Sequence, residues 1–267
     1  MDVLLPASPL ALAGVAGVLF VAGTVNGIAG FGFALVATMA LATAVEPATA
    51  VVFVILPILA VNLTLAGELS GREVRTCGDR FLPLLASAAL GVLVGMVALG
   101  ALPDGPLRLV LGGVTLAFVA SVQQRVTLPG GAALGGPDDR GAGLTASTPA
   151  MAAVGGVGGA LFGGTNVGVQ LVAYLRGFEL SHDLFVGVVA LLFLSLNTVR
   201  IVAAALLGLY PDPGVALLSA AAAVPAVGGV LVGSRLRGLL TPELRRGVVL
   251  LLLTVIAVQL LRTGLGV

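Results

Sequence analysis

Val25-Asn26-Gly27-Ile28-Ala29-Gly30-Phe31-Gly32-Phe33 is a glycine-dense interruption set inside an otherwise apolar run from residue 8 to residue 45. Glycine in mid-helix is unfavourable by about 1 kcal/mol relative to alanine. Several glycines beside an asparagine therefore predict a helix that breaks between residues 26 and 32. The run is too long for one membrane span, which needs about 20 residues. A degraded copy follows later, Gly159-Ala160-Leu161-Phe162-Gly163-Gly164-Thr165-Asn166-Val167-Gly168. It predicts a second break.

The rest of the composition says what solvent these breaks sit in. The chain has 267 residues, of which 58% are hydrophobic and 9% charged. A soluble domain carries about 25% charged residues, and mean hydropathy here is +1.17. Such a chain cannot cover itself with a polar surface, so it is read as an integral membrane protein. A net charge of +1 without any basic run argues against a nucleic-acid partner. Asp2, with no basic residue before the first apolar run, speaks against a cleavable signal peptide. Cys77 and His182 are each the sole residue of their type, which leaves no disulfide, no cysteine metal cluster and little for a proton relay. With no nucleophile–base pair in view, neither an enzyme nor a cofactor or metal is expected.

Outward from the first break, residues 48–66 read as a span ending in Asn62-Leu63-Thr64, and residues 67–80 as a polar loop. Residues 81–102 and 106–122 are two spans joined at Pro103-Asp104-Gly105. Residues 123–148, rich in Gly and Pro, read as a flexible linker. The order then repeats. Residues 149–175 hold the second broken run, and residues 184–208 a span with Asn197, Thr198 and Arg200. Tyr210-Pro211-Asp212-Pro213 is a turn, residues 214–233 a span, 234–246 a loop and 247–263 the last span. Gly23 and Gly27 match Gly155 and Gly159 at a spacing of 132, Asn62 matches Asn197 at 135, and Gly91 matches Gly229 at 138. The expected organisation is a repeat over 1–122, a linker over 123–148 and a second repeat over 149–267, forming one membrane domain.

Arginine decides how the repeats are oriented, because cytoplasmic loops carry the excess of basic residues. If each broken run crosses once, Arg108, Arg176, Arg235, Arg237, Arg245 and Arg246 fall on one side. Arg72, Arg75, Arg80, Arg125, Arg140 and Arg262 fall on the other, and no orientation is selected. If each broken run returns to the side it entered, only Arg108 and Arg262 are separated from the other ten. The second arrangement obeys the rule. It places both termini outside the cytoplasm and inverts the halves, since each then crosses three more times. The expected fold is all-α and polytopic: two inverted repeats, each a glycine-broken re-entrant or hairpin segment plus three transmembrane helices, a transporter architecture.

Gly23-x3-Gly27-x2-Gly30-x-Gly32 followed by an apolar run resembles the opening motif of the sulfite exporter TauE/SafE family, also called the 4-toluene sulfonate uptake permease family. Gly159 to Asn166 looks like that family's second motif, and Phe185 to Arg200 is also similar to it. The resemblance runs over nearly the whole chain. It departs at Phe33, where the family usually has another glycine, and at Thr165-Asn166, where the family usually continues Gly-Pro. The resemblance implies a bacterial inner-membrane permease for sulfite, sulfonates or related small organic anions.

Such an anion needs donors and positive potential without a trapping charge. Helix N-termini supply both, and glycine lets an anion approach the backbone. The expected substrate contacts are Asn26, Gly27, Gly30, Gly32, Gly163, Gly164, Thr165 and Asn166, with Thr24 nearby; the alternative for these breaks is glycine-mediated helix packing. Asn62 and Asn197, at equivalent places, and Gln170 read equally as helix glue or substrate contact. Arg200 is the one charge placed well inside a span, where arginine costs about 2.5 to 3.5 kcal/mol or more; it reads as attracting or gating the anion, or as snorkelling to an interface. No Asp or Glu falls inside a span, so no carboxylate proton relay is evident. An anion leaving a negative-inside cell gains about 2.3 kcal/mol per charge per 100 mV, which favours a secondary exporter. The alternatives are a passive anion channel and an uptake permease for a different small solute. The expected partners are a small anionic substrate and the lipid bilayer. Glycine-rich faces could pack within one protomer or between two, so a homodimer is one arrangement the sequence allows.

Overall fold

The structure is a computed structural model; it describes residues 8–29, 32–66, 71–124, 147–176, 178, 182–210, 212–236, 239 and 242–266. The predicted linker lies almost wholly outside these residues, as do Gly30 and Phe31. The elements among them are helical: α1 (Pro9–Ala29), α2 (Phe33–Ala42), α3 (Pro47–Phe53), α4 (Ile55–Ala66), α5 (Gly71–Ala101) and α6 (Asp104–Gln124). After the linker come α7 (Thr148–Thr165), α8 (Val169–Arg176), α9 (His182–Leu206), α10 (Pro213–Ala221), α11 (Ala223–Leu236) and α12 (Pro242–Leu265).

Five stretches among the described residues are long and apolar enough to cross a membrane: Pro9–Ile28, Pro47–Thr64, Arg80–Ala101, Val188–Leu206 and Pro213–Leu236. Two of these contain a one-residue interruption, at Val54 and at Ala222, each three residues before a proline, Pro57 and Pro225. Proline offers no N–H and its ring crowds the carbonyl four residues earlier, so the helix gives way there. Both glycine-dense stretches do break. The first breaks between Ala29 and Phe33, where Gly32 takes φ 102, and the second at Asn166, with φ 62. Asn26 itself stays inside α1, so this break is later and shorter than the sequence suggested. α1 has 21 residues, about 31 Å of helix, and α2 packs against it as α8 does against α7.

Residues 71–80, expected as loop, are instead the first turns of α5. A run of charged residues does not exclude a helix, and Arg and Glu are good helix formers.

Glycines bring the helices together in two matching pairs. A Cβ on Gly23 or Gly27 of α1 would strike the carbonyls of Ala226 or Val230 on α11. A Cβ on Gly159 or Gly163 of α7 would strike those of Ala88 or Val92 on α5. Gly229 and Gly233 meet the Phe20 and Thr24 carbonyls, as Gly91 and Gly95 meet those of Gly156 and Ala160. By these contacts Gly23 plays the part of Gly159 and Gly27 that of Gly163, a spacing of 136, whereas the partners on α5 and α11 keep the expected 138. The expected pairing of Gly23 with Gly155 is thus off by one helical turn. The third pair, α6 and α12, runs antiparallel: Gly105 faces Gly264, and Gly112 faces Leu261 and Ala257.

Candidate functional site

The kink between α3 and α4 leaves backbone acceptors to be satisfied. Pro57 cannot donate to the Phe53 carbonyl; Ser219 Oγ on α10 donates to it instead, at 2.5 Å. The preceding carbonyl, Val52, accepts from Tyr210 Oη at 3.3 Å. The one before that, Val51, accepts from Asn166 Nδ2 at 3.1 Å. Three consecutive carbonyls are therefore held by three side chains that arrive from the other part of the chain. Asn166 Nδ2 also donates to Thr38 Oγ1 of α2, at 2.5 Å.

Asn166 can reach this place because it ends α7 in the left-handed conformation, with its own N–H donating to Phe162 O at 2.9 Å. Asparagine tolerates that conformation better than other L residues do. The residue is buried, and its Oδ1 has no hydrogen-bond partner.

Beside Phe162 stands Arg200, on α9. The Arg200 Cζ lies 4.9 Å from the centre of the Phe162 ring, stacked as a cation on a π face. Arg200 is 0% exposed. Its Nη1 donates to Asn197 Oδ1 at 3.2 Å, and Asn197 Nδ2 donates back to the Phe193 carbonyl at 2.8 Å. Because a carbonyl can only accept, that second bond fixes the amide and aims Oδ1 at the guanidinium. Arg200 Nε and Nη2 are buried and have no partner. Among the described residues the ion pair is Arg108 with Asp104, at 3.8 Å; none involves Arg200. Tyr210, in the turn between α9 and α10, is close enough to feel the charge: burial pushes its phenol above the ordinary value, and Arg200 pulls it partway back.

Nε–H and Nη2–H point the same way from one edge of a guanidinium. That edge is the fork that meets two oxygens of a carboxylate, sulfonate or phosphate group. An arginine with this edge buried and unpartnered keeps two donors of that fork unused. Among the described residues no group of three or more His, Cys, Asp or Glu side chains comes together as a metal site.

The residues expected from sequence do not all come together. Arg200, Asn197 and Asn166 join one buried cluster. Gly27 and Gly163 are packing positions against α11 and α5, and Gly164 sits beside Gly95. Asn26 Oδ1 accepts from Phe33 N at 3.3 Å and so caps α2. Gly32 supplies the positive φ before α2, and Thr165 Oγ1 bonds Leu161 O and Val167 N within its own break. Asn62 is half-buried on α4, and Gly30 lies outside the described residues. In the sequence Thr38, Phe162, Tyr210 and Ser219 carry no sign of a site role. Phe162 and Tyr210 lie in stretches read only as a break and a turn, and only the fold brings the four to the cluster.

Comparison with curated proteins and with solved structures returned no significant match. The model of the sulfite exporter TauE/SafE family matches residues 15–260, nearly the whole of this polytopic helical chain. The chain belongs to the sulfite exporter TauE/SafE family of membrane transporters.

Proposed function

We propose that the chain exports a small sulfur-containing or organic oxyanion, such as sulfite or a sulfonate, across a bacterial inner membrane, with the anion bound against Arg200. The observation that carries this reading is a fully buried guanidinium whose Nε–Nη2 edge has no partner. A buried charge without a counter-ion is costly, and charges retained inside membrane segments are functional by default. The substrate supplies the missing charge. Asn197 holds the other side of the guanidinium, and Asn166, reaching across to Thr38 and Val51, ties the second helix break to α2 and α3.

Two repeats, residues 1–122 and 149–267, are proposed to be inverted. The exchanged glycine pairs, α1 on α11 and α7 on α5, support a two-fold relation. The antiparallel α6–α12 pair supports inversion: a two-fold axis that relates two antiparallel helices runs across them, hence in the membrane plane. The packing of α2 on α1 and α8 on α7 supports segments that turn back. Outward flux of an anion then needs no coupling ion, because the membrane potential drives it.

The test is counterflow of labelled sulfite in proteoliposomes. The wild type should exchange sulfite with saturation, and Arg200→Gln should lose roughly a hundredfold or more in rate, since a buried charged hydrogen bond is worth several kcal/mol. Arg200→Lys should remain well below the wild type, because lysine keeps the charge and lacks the fork. Unchanged exchange by Arg200→Gln would remove the anion site from this cluster.

A further inference from the structure

The cluster also holds an acceptor without a partner. Asn166 Oδ1 is buried without a partner. Its identity as oxygen does not depend on an arbitrary amide orientation. The other end of the amide faces the Val51 carbonyl at 3.1 Å, and a carbonyl cannot donate, so Nδ2 must be there and Oδ1 must be the free atom. Asn166 and Arg200 both meet Phe162: the Asn166 N–H is bonded to its backbone carbonyl, and the Arg200 guanidinium lies over its ring. A second route joins them. Asn166 holds the Val51 carbonyl, and Tyr210, whose phenol feels the Arg200 charge, holds the adjacent Val52 carbonyl. One buried cluster thus presents two unused donors, one unused acceptor and a single positive charge.

A ligand that satisfies all of these is narrower than an oxyanion in general. We propose that the transported species is a monoanion that carries its own hydrogen-bond donor, with its oxygens on Arg200 Nε and Nη2 and its O–H or N–H on Asn166 Oδ1. Hydrogen sulfite, sulfamate and hydroxy-bearing sulfonates belong to this class; the sulfite dianion and simple alkyl sulfonates do not. The inference rests on the reading of Arg200 as the anion site and adds the acceptor to it. Charge agrees: one guanidinium neutralises one negative charge, and among the described residues no second cation joins it in the cluster, so a dianion would leave a net charge buried. A ligand without a donor would leave Oδ1 unsatisfied on closure, and sites built to bond a substrate O–H or N–H discriminate strongly against analogues that lack it.

Sulfamate and methanesulfonate make the test, being monoanions of nearly equal size that differ by NH2 against CH3. Each is competed against labelled sulfite on the purified full-length protein in lipid nanodiscs. Sulfamate should compete better by on the order of tenfold or more. In Asn166→Gly, which keeps the positive φ accessible, the two should compete within about twofold of each other, the acceptor being gone. Equal competition in the wild type, or an undiminished preference in Asn166→Gly, overturns the proposal. Should that variant fail to fold, the wild type alone decides through pH. Apparent affinity for total sulfite should weaken as pH rises through the ionisation of hydrogen sulfite, while methanesulfonate competition stays flat; parallel or flat profiles overturn it. Arg200→Gln should lose both competitors. If it keeps both at wild-type affinity, it is the anion-site reading that fails, and the acceptor proposal falls with it.

Discussion

Arg200 keeps a full charge where the chain offers it one amide oxygen and one aromatic face. The arrangement is stable only if something else compensates, and Asn197→Asp tests what that is. A carboxylate at this position would sit within bonding distance of Nη1 and give Arg200 a permanent counter-ion. The melting temperature should then rise by a few degrees, because an uncompensated buried charge has been paired. Anion binding should fall by roughly a hundredfold or more, because the site is already neutral. A purely structural Arg200 would give the first result without the second. Thermal unfolding and sulfite binding measured on the same preparation separate the two. At this scale the sequence was informative about charge and silent about proximity. Arg200 stood out because arginine in a span is costly, and Asn166 because it interrupts a helix. Thr38, Tyr210, Ser219 and Phe162 are ordinary residues of their segments; Tyr210 and Ser219 matter through the carbonyls at the Val54 kink, Thr38 through Asn166, and Phe162 through Arg200.

Among the elements, the glycines that mark the family motifs do two different jobs. Gly32 gives the backbone a positive φ at the first break. Gly23, Gly27, Gly159 and Gly163 let two helices approach until a methyl group would meet backbone carbonyls, the small-residue packing common in membranes. A carbonyl in a helix cannot swing aside as a side chain can. Gly91→Ala and Gly159→Ala should therefore lower the melting temperature sharply or abolish folded yield. Gly113→Ala, with nothing within 4 Å of its Cβ, should be neutral or stabilising by up to about 1 kcal/mol. Equal effects at all three would remove the packing role. The α3–α4 kink gives a second test. Ser219→Ala leaves the Phe53 carbonyl without a donor, at a cost of about 1 to 3 kcal/mol. Adding Pro57→Ala restores an N–H one turn ahead, and the double variant should recover much of that loss. If it does not, Ser219 is needed for more than that carbonyl. The sequence located both breaks, but the glycine contacts match at a spacing four residues from the one it suggested for the proposed repeat. In helices so rich in Gly, Val and Leu a shift of four residues keeps small residues facing small residues, and only the contacts distinguish the two alignments.

Across the whole molecule, the proposed orientation rests on counting arginines and on how α6 meets α12. Returning segments at 8–45 and 149–175 separate ten arginines from Arg108 and Arg262; straight crossings divide them evenly. The antiparallel contact of α6 with α12 agrees with the first arrangement, since equivalent helices of inverted repeats run in opposite directions. The length of α1 presses the other way, because 21 residues reach across a bilayer alone. The two readings differ in a measurable place. With returning segments both termini lie outside the cytoplasm. Alkaline phosphatase fused after Val267 should be active in cells, and a green fluorescent protein fused there should stay dark when exported through the general secretory route. A reporter at the turn between Leu102 and Asp104 should behave in the same way, because α6 ends on the side opposite the C-terminus of α12. A reporter within the linker at 125–146 should show the reverse pattern, that segment carrying Arg125 and Arg140 on the basic side. A bright C-terminal fluorescent fusion would move the basic loops outside. The inverted pair would survive, but the membrane potential would then act on the anion from a site whose loops break the charge rule, and the orientation derived from arginine would have to be abandoned.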